Sequence, residues 1–291
     1  MDFLCKATAD DVRVYAAVTT ELTREAAARH RCGVLATAAI GRVMTGALLM
    51  AANLKNRECL TVKFQGDGPI GRIVADASAD GAARGYVAHP EAELPLTNGK
   101  LSVGQGVGRG LLSVTRFTGL KEPVTGTCEI FSGEIAEDLT RYLFLSEQTP
   151  SSVGLGVLVG KDGVTEAAGG FIVQPLPGAS EETLSCLENT IAVLRPVSAM
   201  VRDGLSAREI ASEVLRGFTD VHFLSETKLA FRCQCSRSRT EEILATLRDE
   251  DLVKLMEDGQ AEVCCDFCGA KYLFTKEDLM KIRKMASENK K

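Results

Sequence analysis

No excess of positive charge marks this 291-residue sequence: 39 acidic residues outnumber 34 Lys and Arg, and the formal net charge is -5. Gripping a phosphate backbone needs clustered Lys and Arg, so nucleic acid is not an expected partner. Histidine is scarce too. His30, His89 and His222 lie scattered with no G-x-S-x-G elbow, which leaves acid–base or nucleophilic catalysis without apparatus, and no enzyme activity is expected. The glycine-rich run 104–110 fits neither G-x-G-x-x-G nor a phosphate-binding loop, and a turn is expected there. The first residues lack the basic and apolar regions of a secretory leader, and Asp10-Asp11 soon follow. The cytoplasm is therefore the expected compartment. A long uninterrupted apolar run is missing as well. Residues 33–53 come closest, but Arg42 sits near the middle and three glycines interrupt them, which predicts a buried core helix and no membrane partner.

What is present is a globular composition with many thiols. Apolar residues make up 45% and charged residues 25%, close to the average of folded domains and unlike disordered chains. Ten cysteines in an intracellular chain do not make a disulfide framework, because reducing compartments keep thiols reduced. Metal or redox chemistry is the alternative.

The length suggests one large domain plus a smaller one. Val12, Val14, Ala16 and Val18 alternate as in a strand, and residues 21–31 read as a helix. Residues 60–87 read as an antiparallel meander punctuated at Gly66-Asp67-Gly68-Pro69 and Ala79-Asp80-Gly81. A strand follows at 111–118, then a helix N-capped by Ser132 and reaching Ser146, then strands at 153–159 and 166–173. Residues 1–177 thus form an α+β core domain, mainly antiparallel sheet with helices. Pro175 and Pro177-Gly178 stop the sheet. Residues 178–230 read as a helical linker: Leu184, Leu187, Ile191 and Leu194 recur at helical spacing, and Ser206-Ala207-Arg208-Glu209 is a capping box for a second helix through Leu215. Residues 231–291 remain for a small C-terminal domain.

That last domain carries the chemistry. Cys233-Gln234-Cys235 and Cys265-Asp266-Phe267-Cys268 are two close pairs about 30 residues apart, a spacing suited to one zinc held by four thiolates. Zn–S bonds of ~2.3 Å need sulfurs under ~4 Å apart, so each segment must deliver two cysteines within one local turn. Gly269 frees the backbone just after the second pair. Lys271 to Phe274 reads as a short strand, and Thr275-Lys276-Glu277-Asp278 as a cap opening a last helix to about Ser287. The alternative, four small buried hydrophobes, sits badly beside Arg232, Gln234, Ser236, Arg237 and Asp266.

The zinc is either a permanent staple or a sensor. A disulfide across one intervening residue closes a strained, easily reversed ring, which favours the sensor. Metal-held thiolates react with oxidants, and converting neighbouring pairs to disulfides would remove all four ligands. A domain of about sixty residues would then unfold, with the linker baring Leu184, Leu187, Ile191, Leu194, Val214 and Leu215. Cys5, Cys32, Cys59, Cys128 and Cys186 stand singly and read as structural thiols. Cys264 competes with Cys265 as a ligand, but strand alternation should turn it away from the metal.

This cysteine pattern at the C-terminal end resembles the heat-shock-protein-33 family, the redox-regulated 33 kDa chaperonins. Gly66-Asp67-Gly68-Pro69-Ile70-Gly71, continuing through Ala75-Asp76 to Arg84-Gly85-Tyr86-Val87, is similar to that family's N-terminal signature. So are residues 132–139 and 146–154. The resemblance runs from about residue 10 to 280. It implies a reduced, inactive monomer with one Zn²⁺ per chain, and an oxidised, metal-free form, often a homodimer, that holds unfolding or oxidatively damaged client proteins without ATP. It also implies disulfides Cys233–Cys235 and Cys265–Cys268. The surplus cysteines depart from the family's switch motif, and four cysteines alone permit three connectivities.

Two other functions compete with a redox-activated holding chaperone. A constitutive zinc ribbon for nucleic acid or a protein partner predicts basic flanks, but Glu241, Glu242, Glu262 and Asp266 offset Arg232, Arg237, Arg239 and Lys271. A thiol oxidoreductase would use Cys265 and Cys268 as a catalytic pair, but the strand expected after them lacks the helix of a thioredoxin-like unit.

Overall fold

Alternating apolar residues open the fold, where β1 (Phe3–Ala9) and β2 (Val12–Val18) pair antiparallel with Ala7 opposite Val14. The structure is a computed structural model and describes residues 1–55, 58–97, 99–119 and 122–288. After α1 (Thr20–His30), the interrupted apolar run forms α2 (Val34–Ala51), buried at every position from Leu35 to Ala51 except Arg42. Its surface is apolar nearly all round, so it must be enclosed on every side. Strands of both large sheets enclose it. Among the described residues it alone is long and apolar enough to cross a bilayer, yet 89% of that window is buried, as a core helix requires. Arg42 leaves the core through an ion pair of 2.6 Å with Glu134.

The expected meander becomes β3 (Cys59–Gly66), β4 (Arg72–Ser78) and β5 (Ala82–Val87). The glycine run supplies a short helix, α3 (Val103–Val107), where a turn was expected, followed by β6 (Gly110–Phe117) and β7 (Val124–Glu129). The glycines serve close backbone approach. The amides of Asp67, Gly68 and Ile70 donate to the carbonyls of Arg109, Val107 and Gly106, and a Cβ on Gly66 would overlap the Val107 carbonyl oxygen.

Helix α4 (Ala136–Leu145) begins four residues beyond Ser132, correcting the expected cap. Buried Asp138 is the reason: its carboxylate accepts from the amides of Phe131, Ser132 and Ile135, while the Ser132 hydroxyl accepts from Glu134. Then β8 (Ser152–Val159) and β9 (Thr165–Pro175) form a hairpin.

Beyond Pro177 come α5 (Glu181–Ala192), α6 (Val197–Arg202) and α7 (Ala207–Val214). Leu187, Met200, Ile210, Val214 and Leu215 are buried against Val12, Val14 and Val173 of the first sheet. The segment ends in β10 (Val221–Lys228), which pairs with β1, and β11 (Ala230–Phe231), which runs parallel to β5. The sheets therefore read β10-β1-β2-β9-β8 and β11-β5-β4-β3-β6-β7. Contacts divide the chain into two compact units, Met1–Arg232 and Cys233–Lys291. The second contains α8 (Arg237–Ala245), α9 (Asp249–Glu257), the hairpin β12 (Gln260–Cys264) and β13 (Lys271–Thr275), and α10 (Lys276–Glu288). The mixture of helices and mainly antiparallel sheets is the α+β class expected, with a cysteine cluster in the small C-terminal unit.

Candidate metal centre

Two short chain segments build the centre. Cys233 and Cys235 lie just ahead of α8, whose N-cap Ser236 accepts a hydrogen bond from the Arg239 amide and so fixes the chain directly after Cys235. Cys265 and Cys268 occupy the turn between β12 and β13. There the Cys265 amide donates to the Ala270 carbonyl at 2.9 Å, and the Gly269 amide to the Cys265 carbonyl at 2.8 Å. Gly269 takes φ +71°, a conformation that costs a side-chain-bearing residue more.

Four sulfurs converge. All lie within 4.8 Å of one another, so together they could hold a metal ion. Two contacts cross between segments, Cys233–Cys265 at 3.7 Å and Cys235–Cys268 at 3.3 Å, close to the edge of a tetrahedron with ~2.3 Å metal–sulfur bonds. Burial pushes the Cys268 thiol up to about 12, with neighbouring thiols adding to the shift. Burial also raises Cys265, against backbone amides of Phe267 and Cys268 that favour its thiolate. Cys265 and Cys268 thus resist ionising on their own account, whereas a divalent cation among the sulfurs would reverse that preference. Donor type, number and spacing all fit a thiophilic metal.

Tyr272 on β13 was not foreseen. Its hydroxyl donates to the Cys235 sulfur at 3.2 Å, and this bond raises the phenol to about 12. Arg237 braces the same unit, with Nη1 on the Leu273 carbonyl, Nη2 on Asp278 and its plane over Phe274. Such outer partners orient ligands, but neither residue has a local signature. The expected reciprocal cap of α10 forms, with the Thr275 amide donating to Asp278 and the Asp278 amide to Thr275 Oγ1.

Cys264 is exposed and outside the cluster, as strand alternation requires. None of Cys5, Cys32, Cys59, Cys128 and Cys186 joins it. Burial pushes the Cys5 thiol up to about 11 and that of Cys32 to about 12, which keeps both protonated and unreactive near neutrality.

Comparison with known proteins agrees over the full length. The family model described as Hsp33 protein matches residues 2–275. The 33 kDa chaperonin of Desulforamulus reducens is 47% identical over 99% of both chains, and that of Bacillus subtilis 46% identical over 97% of this chain and 98% of the relative. A crystal structure of the 33 kDa chaperonin (heat shock protein 33 homolog) from Thermotoga maritima superposes with a TM-score of 0.90 at 33% identity, covering 98% of this chain and 99% of that one. A family match over residues 2–275, on a fold that brings Cys233, Cys235, Cys265 and Cys268 together, makes this chain a member of the Hsp33 chaperone family.

Proposed function

We propose that this chain is a redox-regulated, ATP-independent holdase, a chaperone that binds unfolding or oxidatively damaged proteins and prevents their aggregation without catalysing a reaction. The observation that carries the reading is the convergence of four sulfurs in a unit whose own core is small. In the reduced form Cys233, Cys235, Cys265 and Cys268 hold one Zn²⁺, which supplies the order the small core lacks.

Oxidation of the four thiolates to two disulfides consumes two equivalents of hydrogen peroxide and four protons, yields four waters and leaves no thiolate to retain the ion. The pairing we propose is Cys233–Cys235 and Cys265–Cys268. Partners two or three residues apart in the chain stay within reach as the unit loosens and meet far more often than partners about thirty apart. Residues 233–288 then unfold. β11 and β10, next along the chain, become the frayed end of an ordered region. Release of β10 and α5–α7 would bare Leu187, Met200, Ile210 and Val214 together with the sheet face beneath them. Two such surfaces make the oxidised homodimer a natural state, and the cytoplasm, where thiols are kept reduced at rest, a suitable compartment.

The test measures zinc content, free thiols and suppression of client aggregation on the same samples before and after peroxide treatment. Expected are loss of one zinc and four thiols together with the appearance of holding activity. Equal activity of the reduced and oxidised forms would sink the proposal.

A further inference from the structure

Strand alternation gives β2 two unlike faces. Val12 and Val14 pack in the core with the helical segment, while Arg13 and Tyr15 share the other face and line a cavity of about 220 Å³. The end of α2 contributes Asn53 to it, β6 Arg116, the segment after α4 Glu147 and Thr149, and β9 Gln174. Its apolar floor is Leu49, Met50, Leu143 and Ile172, all buried. The volume lies below the ~300–1,000 Å³ of typical small-molecule sites, so only a small ligand fits.

The polar groups of the cavity are held in place from behind. Gln174, only 5% exposed, accepts from Arg13 Nε at 2.8 Å. Its own amide donates to Ser151 Oγ at 2.7 Å, and that hydroxyl donates to the Thr149 carbonyl. This chain of bonds fixes which Gln174 atom meets Arg13, and with it the plane of the guanidinium. Arg13 Nη1 and Nη2, by contrast, have no hydrogen-bond partner among the described residues, and Arg13 has no carboxylate within ion-pair distance. Asn53 is oriented likewise. Its Oδ1 accepts from the Tyr15 hydroxyl at 2.5 Å, which leaves Nδ2 as a donor with no partner among the described residues. Arg116 is already paired with Glu147. Two arginines against one carboxylate leave the lining with one uncompensated positive charge.

We propose that this cavity binds a small monocarboxylate carrying a compact apolar group. An oriented guanidinium with two open nitrogens suits a planar two-oxygen acceptor. A single negative charge balances the lining, and the apolar group would rest on Leu49, Met50, Leu143 and Ile172. Inorganic phosphate offers the oxygens and the charge but nothing to cover that floor.

The experiment titrates isovalerate into the full-length reduced chain by calorimetry, beside its neutral isostere isovaleramide and inorganic phosphate. We expect saturable isovalerate binding that is weaker by about tenfold or more for isovaleramide, and by a similar factor in Arg13→Gln. Arg13→Lys keeps the charge without the fork and should recover only part of that loss. Glu147→Gln removes the opposing charge from the lining and should tighten isovalerate binding by about threefold or more. Equal affinity for isovalerate and isovaleramide overturns the proposal, as does the absence of saturable binding to the folded parent. Phosphate binding as tightly as isovalerate would make this a general anion site and overturns the carboxylate assignment. If Arg13→Gln fails to fold, the comparison of the three ligands on the parent decides, and isovalerate binding left unchanged or weakened in Glu147→Gln counts against the proposal.

Discussion

Residues 1–232 close two sheets around α2, with Ile40, Met44, Leu48 and Leu49 among side chains wholly removed from solvent, whereas residues 233–288 bury little more than Leu244, Leu252, Ala261, Phe274, Leu279 and Ile282. Burial of each large apolar side chain contributes roughly 1.5–3 kcal/mol, before chain entropy takes most of it back. A central helix covered on every side satisfies that balance by itself. Six core residues do not, and in that unit four thiols stand where further apolar packing would otherwise be needed. The two units thus differ in how much order apolar burial alone can supply, and under the proposed function the second draws the rest from a metal that oxidants would displace.

The largest expected effect separates those sources. Cys268→Ser, or chelation of the wild type, should remove metal-derived stabilisation on the order of 10–16 kcal/mol. Amide exchange protection across 233–288 should collapse while β3, β4 and β6 keep theirs. Exchange read by mass spectrometry decides the matter. A metal-free C-terminal unit that stays protected would erase the contrast, because its apolar core would then suffice.

A smaller pair of effects sharpens it. Phe274→Ala, deleting a fully buried ring, should cost about 3–5 kcal/mol in the metal-loaded unit. With folding coupled to metal binding as proposed, the loss should surface as a metal affinity weakened by about a hundredfold or more. Leu48→Ala in α2 should cost about 2–5 kcal/mol and lower the melting temperature of residues 1–232, with metal affinity unchanged. Competition with a chromophoric chelator and calorimetry on both variants give the two numbers. If Leu48→Ala weakens metal binding as much as Phe274→Ala does, the units do not draw on separate cores.

How far sequence reaches follows the same division between local and distant causes. The cysteine cluster was legible because Cys-x-Cys and Cys-x-x-Cys are local patterns, each setting two donors within one turn. α2 was legible for a related reason, since an apolar run broken only by glycines and Arg42 has few places to go. β10 and β11 were not. Val221–Lys228 becomes a strand by pairing with β1, more than two hundred residues away in the chain, and nothing in its own composition announces that partner. Tyr272 was missed likewise, because its hydroxyl meets Cys235 only after β13 and the segment ahead of α8 are both in place. The start of α4 was misplaced because Asp138, inside the helix, gathers the amides that Ser132 was expected to cap.

The smallest expected effect tests the helical segment on the N-terminal sheet, where the capping box read from sequence is present. The Ser206 amide and hydroxyl both donate to Glu209 Oε2, at 2.8 and 2.7 Å, and the Glu209 amide donates back to Ser206 Oγ. The bond from the Ser206 amide, then that from its hydroxyl, hold the Glu209 carboxyl below its ordinary 4.5. A depressed carboxyl means that the folded state binds this proton less readily than the unfolded chain. Its contribution is therefore present above 4.5 and is lost as pH falls through the lowered folded value. Glu209→Gln retains an acceptor but has no charge to titrate. The melting temperatures of wild type and variant should differ at about pH 6 and converge as pH falls through the lowered folded value, where the wild-type carboxyl is protonated as well. The separation will be slight, because the pair is exposed and water screens it. A separation that stays constant across that window would mean that the Glu209 charge plays no part in starting α7, and that the helix is held by the burial of Ile210 and Val214 alone.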